Sequence, residues 1–96
     1  MIATFGDATT QDIWNGQDTK AARRIPKAIW PIVQRKLDLL NRVTRLDALR
    51  EPPGNRLKAL LGAEAGSHSI RVNDQYRITF TFREEHFYEV GCEDYH

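Results

Sequence analysis

The stretch SHSIRVNDQYRITFTF alternates residue by residue, and no other part of the chain restricts the fold as tightly. Before NDQ, the residues His68, Ile70 and Val72 fall on one side and Ser69 and Arg71 on the other. After it, Tyr76, Ile78, Phe80 and Phe82 stand opposite in parity to Arg77, Thr79 and Thr81. A period of two is that of a β-strand with one buried face, so the segment reads as two strands of a hairpin. Both apolar sets reach the same core only if Val72 opposes Tyr76 and Ile70 opposes Ile78, which leaves Asn73-Asp74-Gln75 as the loop. This register sets Arg71 directly across from Arg77.

The remaining elements are fitted around that hairpin. FYEVGCEDY reads as a further strand after an REEH turn, with Tyr88, Val90 and Cys92 toward the core, and LKALL offers another. Ile2 to Phe5 is a short β-prone run. In DATTQDIW, Asp7 and Thr9 are the candidate helix N-caps, and Asn15-Gly16 ends the element. From Ala28 to Val43 the residues Ile29, Ile32, Val33, Leu37, Leu40 and Val43 recur at spacings of three and four, which predicts an amphipathic helix. Pro31 suits a first turn and forbids regular helix well before it, so the start falls between residues 27 and 30. RLDALR adds a short helical turn before the breaker PPGN. The expected fold is α+β, with two main N-terminal helices packed on a twisted antiparallel sheet, and residues 1–96 form one domain.

Composition narrows the class. At 41% apolar and 28% charged residues the chain has the balance of a globular domain, and it has no apolar run of the roughly 20 residues that a membrane span needs. The start MIATFGDATT does not resemble a secretory signal, and the single Cys92 has no partner for an internal disulfide. A cytoplasmic protein with Cys92 as a small buried apolar residue is the natural expectation. Trp14 and Trp30 read as core or interface anchors. Charge is unevenly spread: residues 1–19 carry three Asp and no cation, and residues 59–96 carry a balance of −4. Residues 20–58 hold eleven cations against three anions, a balance of +8. Two readings of that block stay open, a face for RNA or an acidic partner and a set of solvated helix faces.

Like charges directly opposite in a sheet normally destabilise it. The Arg71–Arg77 pair therefore needs a reason. Either a phosphate sits between them, held by charge-assisted hydrogen bonds that strengthen as charge develops, or Glu89 or Glu93 on the last strand neutralises them. The segment Asp94-Tyr95-His96 adds a carboxylate, a phenol and an imidazole directly after a strand-like run. Chain ends commonly fray, but an imidazole carried by a sheet suits proton transfer near neutrality. Nucleotide-binding glycine loops, CxxC pairs and zinc-ligand spacings are missing from the sequence, so no metal or cofactor is expected.

The segment PPGNRLKALLGAEAGSHSIRVNDQYRITFTF, followed by DYH, resembles the HigB-type plasmid-maintenance killer proteins of the RelE/ParE toxin superfamily. In that family PPGNRL precedes a loop with paired glycines, here Gly62 and Gly66, SIRVND opens the hairpin, YR starts the return strand and DYH closes the chain. MIATFGDATT and QRKLDLLNRV are similar more loosely. The resemblance implies a RelE-like fold and a metal-independent, ribosome-dependent endoribonuclease acting on translated mRNA. It further implies a HigA-type helix-turn-helix antitoxin as partner, contact with the ribosome and mRNA, DNA reached only through the antitoxin, and no membrane. Carried over by motif, Arg71 and Arg77 become the phosphate-binding arginines and Asp94, Tyr95 and His96 the terminal active-site group. Where well-described members have a histidine and a lysine after PPGNRL, this chain has Lys58 and Leu61; Lys58 still supplies a cation or a proton, and Leu61 supplies neither.

Two alternatives follow from the same likeness. One is a ParE-like poison that binds DNA gyrase on a similar scaffold; the other is a catalytically weakened toxin fold acting mainly through its antitoxin, to which Leu61 gives the best support. On the ribonuclease reading, Arg77→Ala and deletion of His96 abolish toxicity and leave the fold largely intact.

Overall fold

A computed structural model of the chain describes residues 1–60 and 66–94. Helix α1 spans Ala8–Trp14 and α2 spans Trp30–Arg42, and four strands follow: β1 Lys58–Ala59, β2 Ser67–Arg71, β3 Tyr76–Arg83 and β4 His86–Asp94. The strands form one antiparallel sheet in the order β1-β2-β3-β4.

Local chemistry sets the helix limits. Asp7 is the α1 cap: its extended backbone lets Oδ1 accept from the Thr10 amide at 2.7 Å. Thr9, the other cap candidate, lies inside the helix and donates Oγ1 to the Ala21 carbonyl at 2.8 Å. Asn15 closes the helix and Gly16 follows at φ +74°, a left-handed conformation that glycine adopts without a Cβ clash. Pro31 occupies the first turn of α2, after a single 3₁₀ turn at Lys27–Ile29. Trp30, Val33, Leu37 and Leu40 are the buried stripe of α2, while Ile29, Ile32 and Val43 only flank the core. The indole Nε1 of Trp30 donates to the Ile25 carbonyl at 2.8 Å, so its one polar atom is satisfied inside. RLDALR becomes the 3₁₀ turn Leu46–Arg50, ended by Glu51.

The hairpin has the register its alternation requires. Ile70 pairs with Ile78 and Arg71 with Arg77, and the Val72 amide donates to the Tyr76 carbonyl at 3.0 Å. Asn73 Oδ1 closes the loop by accepting from the Gln75 and Tyr76 amides at 2.9 and 2.7 Å. Ile70, Ile78, Phe80, Val90 and Cys92 meet Ile13, Val33, Leu37 and Leu40 in the core. Phe80 and Phe87 pack edge to face with centroids 5.1 Å apart.

One core assignment on β4 is corrected. Phe87 is fully buried and Tyr88 is not; Arg83 lies over the Tyr88 ring. A β-bulge causes the change: Thr79 pairs with Gly91 but Thr81 with Tyr88, so β4 carries one extra residue opposite Phe80. Glu89 sits in that bulge at φ +52°. Before it Phe87 faces the core, and after it Val90 and Cys92 do. The run Ile2–Phe5 fixes the bulge from outside by lying parallel along β4, bridged at Ile2–Phe87 and Phe5–Val90.

Candidate functional site

Residues of the other parity form the second face of the sheet. One row across it is Lys58, Ser69, Thr79 and Gly91; the next is Arg71, Arg77 and Glu93. The middle of the first row is small, so the longer side chains around it wall a cleft of about 440 Å³. Arg56, Lys58, Leu60, Ser69, Arg77, Thr79 and Glu93 line it. A groove of about 530 Å³ adjoins, sharing Leu60, Thr79 and Glu93 and adding Ser67, Thr81 and Glu89.

Arg71 and Arg77 lie on one face, as the register demands, but in different surroundings. Arg71 is partly exposed and forms an ion pair with Asp74 of the hairpin loop. Arg77 is buried, with 8% of its surface exposed. Its Nε donates to Ser69 Oγ at 2.7 Å, and its Nη2 donates to the Arg56 carbonyl at 2.7 Å and the Ser69 carbonyl at 3.2 Å. Much of its hydrogen-bonding capacity therefore ties β2 and β3 to the segment before β1. The expectation that Arg77→Ala spares the fold is not compatible with that burial. Of the acidic side chains considered as neutralising partners, Glu93 stands across from Arg77 in the ladder, whereas the bulge turns Glu89 into the adjoining groove.

Arg56 and Lys58 arrive in the cleft through a local turn. The fully buried Asn55 donates Nδ2 to the Leu49 and Glu51 carbonyls at 3.2 and 3.1 Å and accepts from Lys36 Nζ. The next residue, Arg56, is left-handed at φ +47°, and the Arg77 guanidinium holds its carbonyl. Burial chiefly, then the charges of Arg35 and Arg71, keeps the Lys36 ammonium below the ordinary lysine range.

The other expected site residues are distributed unevenly. Asp94 pairs with Tyr76, which has the parity of Ile78 and the core, and its Oδ2 accepts from Gln75 Nε2 at 2.9 Å. It therefore does not share the face of Arg71 and Arg77. Tyr95, His96, Leu61 and Gly62 lie outside the described residues. Arg56, Ser69 and Glu93 line the cleft without having been singled out as site residues. Parity placed Ser69 and Glu93 on this face, while the turn that delivers Arg56 had no sequence signal beyond PPGN.

Part of the basic block is neutralised locally. Arg23 and Lys27 both reach Asp18, Arg42 pairs with Asp38 and Arg50 with Asp47, all as exposed pairs of small energetic consequence. Arg56 and Lys58 are its contribution to the cleft. Among the described residues no three His, Cys, Asp or Glu side chains converge as a metal site, and no helix is long and apolar enough to cross a membrane.

Comparison with known proteins places this architecture. Residues 4–96 match the family described as the RelE-like toxin of type II toxin-antitoxin system HigB. Toxin HigB-1 of Vibrio cholerae serotype O1 is 45% identical over 80 residues, covering 83% of this chain and 82% of that protein. An uncharacterised Haemophilus influenzae protein is 37% identical over 59 residues, 62% of this chain and 58% of its own. Among solved structures, the YoeB-YefM complex from Staphylococcus aureus superposes with a TM-score of 0.60 at 16% identity, covering 100% of this chain and 98% of the matched one. At that identity the superposition speaks for a shared fold alone.

Proposed function

The chain belongs to the HigB family of RelE-like toxins of type II toxin-antitoxin systems, and from that premise we propose that it is an endoribonuclease that cuts translated mRNA on the ribosome. The observation that carries the reading is the cleft with Arg56, Lys58 and Arg77 in its lining and Arg71 in the same row as Arg77. Cleavage of RNA by its own 2′-hydroxyl has three requirements: an acceptor for the hydroxyl proton, cations for the phosphate as its charge grows, and a donor for the leaving 5′-oxygen. Lys58 and the arginines supply the cations. The buried Arg77 guanidinium, held by Ser69 and the Arg56 carbonyl, serves this well, since it needs little reorganisation as charge develops. Of the terminal group, Tyr95 and His96 supply proton transfer, with the His96 imidazole as the donor, while Asp94 stands on the other parity.

Restraint falls to a HigA-type helix-turn-helix antitoxin, through which the pair reaches DNA, and the site of action is the translating ribosome in the cytoplasm. The fold neighbour having been solved as a YoeB-YefM complex supports a protein partner on this scaffold. The test is to induce the toxin without its antitoxin and map mRNA 5′ ends with translation running or blocked at initiation. Cuts inside coding regions that vanish when translation is blocked are expected. Growth arrest with intact mRNA refutes the reading and favours a poison of another target, such as gyrase.

A further inference from the structure

On the ribonuclease reading, which this inference deepens, the cleft must hold a group that takes the 2′-hydroxyl proton. Its described lining leaves one choice. Arg56, Lys58 and Arg77 enter as cations, Leu60 has no polar side chain, and Ser69 Oγ already accepts from Arg77 Nε. Thr79 offers a hydroxyl, which is a poor base. Glu93 is the remaining side chain, and it is a carboxylate.

Its position suits the task. Glu93 is the ladder partner of Arg77, and such partners stand about 5 Å apart at Cβ, so a phosphate bound by cations of the cleft brings its neighbouring ribose beside this carboxylate. Thr79 and Gly91 form the adjacent row, and the place a Gly91 side chain would take is filled by the Asp7 carboxylate, whose Oδ2 lies 3.0 Å from where the Cβ would stand. The carboxylate is exposed and takes part in none of the ion pairs among the described residues. Asp94, the next residue, has the other parity.

We infer that Glu93 is the proton acceptor of the cleavage step. The 2′-hydroxyl proton passes to the Glu93 carboxylate as the 2′-oxygen forms a bond to phosphorus. The P–O5′ bond breaks, its electron pair stays on the 5′-oxygen, and that oxygen takes a proton from the His96 imidazolium assigned above. The products are a 2′,3′-cyclic phosphate and a 5′-hydroxyl, with no oxidant or other reactant consumed. The charged groups around Glu93 are Arg56 from the turn before β1, Lys58 from β1, Arg71 and Arg77 in its own ladder row, Glu89 on its own strand, and Asp7 beside Gly91, whose Oδ1 is engaged as the α1 cap.

The experiment measures single-turnover cleavage of mRNA on programmed ribosomes by the full chain, across pH, for the wild type, Glu93→Gln and Glu89→Gln. Loss of a general base lowers the rate by about a hundred- to ten-thousand-fold. Glu93→Gln is expected to show such a loss and to lack the acid-side fall of the wild-type pH profile, with ribosome affinity and melting temperature unchanged. Glu89→Gln is expected to cleave at the wild-type rate. A Glu93→Gln variant that cleaves at the wild-type rate with the wild-type profile overturns this inference and leaves the ribonuclease reading standing. A wild type that cuts no mRNA on the ribosome overturns both.

Discussion

Replacing Arg77 with alanine is expected to damage the fold as well as the activity. The guanidinium is buried and donates to Ser69 Oγ, the Ser69 carbonyl and the Arg56 carbonyl. Hydrogen bonds to a charged group contribute about 1.5–3 kcal/mol each, and buried acceptors left without a donor cost about 1–3 kcal/mol. These terms are not additive within one side chain, and water entering the vacated cleft recovers part of them, so a net loss of about 2–4 kcal/mol is expected. Against a typical stability of about 5–15 kcal/mol that is a large fraction. At about 4–8 °C per kcal/mol for a domain of this size, the melting temperature should fall by at least roughly 8 °C. Urea denaturation followed by circular dichroism reads the loss directly. Arg77→Lys, which keeps the charge but loses the planar fork, should fall between the two. An Arg77→Ala protein within about 0.5 kcal/mol of the wild type, the range of an ordinary surface change, refutes the structural role. If the role stands, lost toxicity in Arg77→Ala counts toward catalysis only after its stability has been matched to the wild type.

Three further outcomes follow. Burial first, then the charges of Asp7 and Glu93, raises the Cys92 thiol from 9.0 to about 12; the folded chain keeps that proton where the unfolded chain loses it. Stability from this source is complete below pH 9 and is lost as pH rises toward 12, so wild-type urea midpoints between pH 8 and 10.5 should fall more steeply than those of Cys92→Ala, and equal slopes would contradict it. Asn55→Ala should cost about 2–3 kcal/mol in the same denaturation assay, because it leaves the Leu49 and Glu51 carbonyls and the Lys36 ammonium without their partner. Asp7→Ala should cost about 1 kcal/mol by removing the cap on the Thr10 amide, while Asp7→Asn should recover most of it.

The hairpin register was legible because the period of two admits only one pairing that buries Ile70, Ile78 and Tyr76 together. Parity, however, says which side a residue faces and nothing about how deeply it is covered. Ser69 and Arg77 were placed on the polar face correctly, yet they are buried because the turn at Arg56 closes over them. Tyr88 was misplaced for a related reason. The bulge at Glu89 depends on the N-terminal run, distant in sequence, whose Gly6 approaches so closely that a Cβ there would stand 3.0 Å from the Glu89 carbonyl oxygen. No local pattern in FYEVGCEDY encodes that contact. The expected site was partly legible: Lys58 and Arg77 line one cleft and Arg71 shares their face, but Asp94 falls on the other parity because each strand residue turns to the side opposite its neighbour.

The most direct test of ribosome-dependent cleavage mixes purified protein with a defined mRNA, once free in solution and once on ribosomes holding a codon in the A site. End groups of the fragments are then analysed. Cuts are expected on programmed ribosomes only, leaving a 2′,3′-cyclic phosphate or its hydrolysis product on one side and a 5′-hydroxyl on the other. Intact mRNA under both conditions, or fragments bearing a 5′-phosphate, would contradict this expectation.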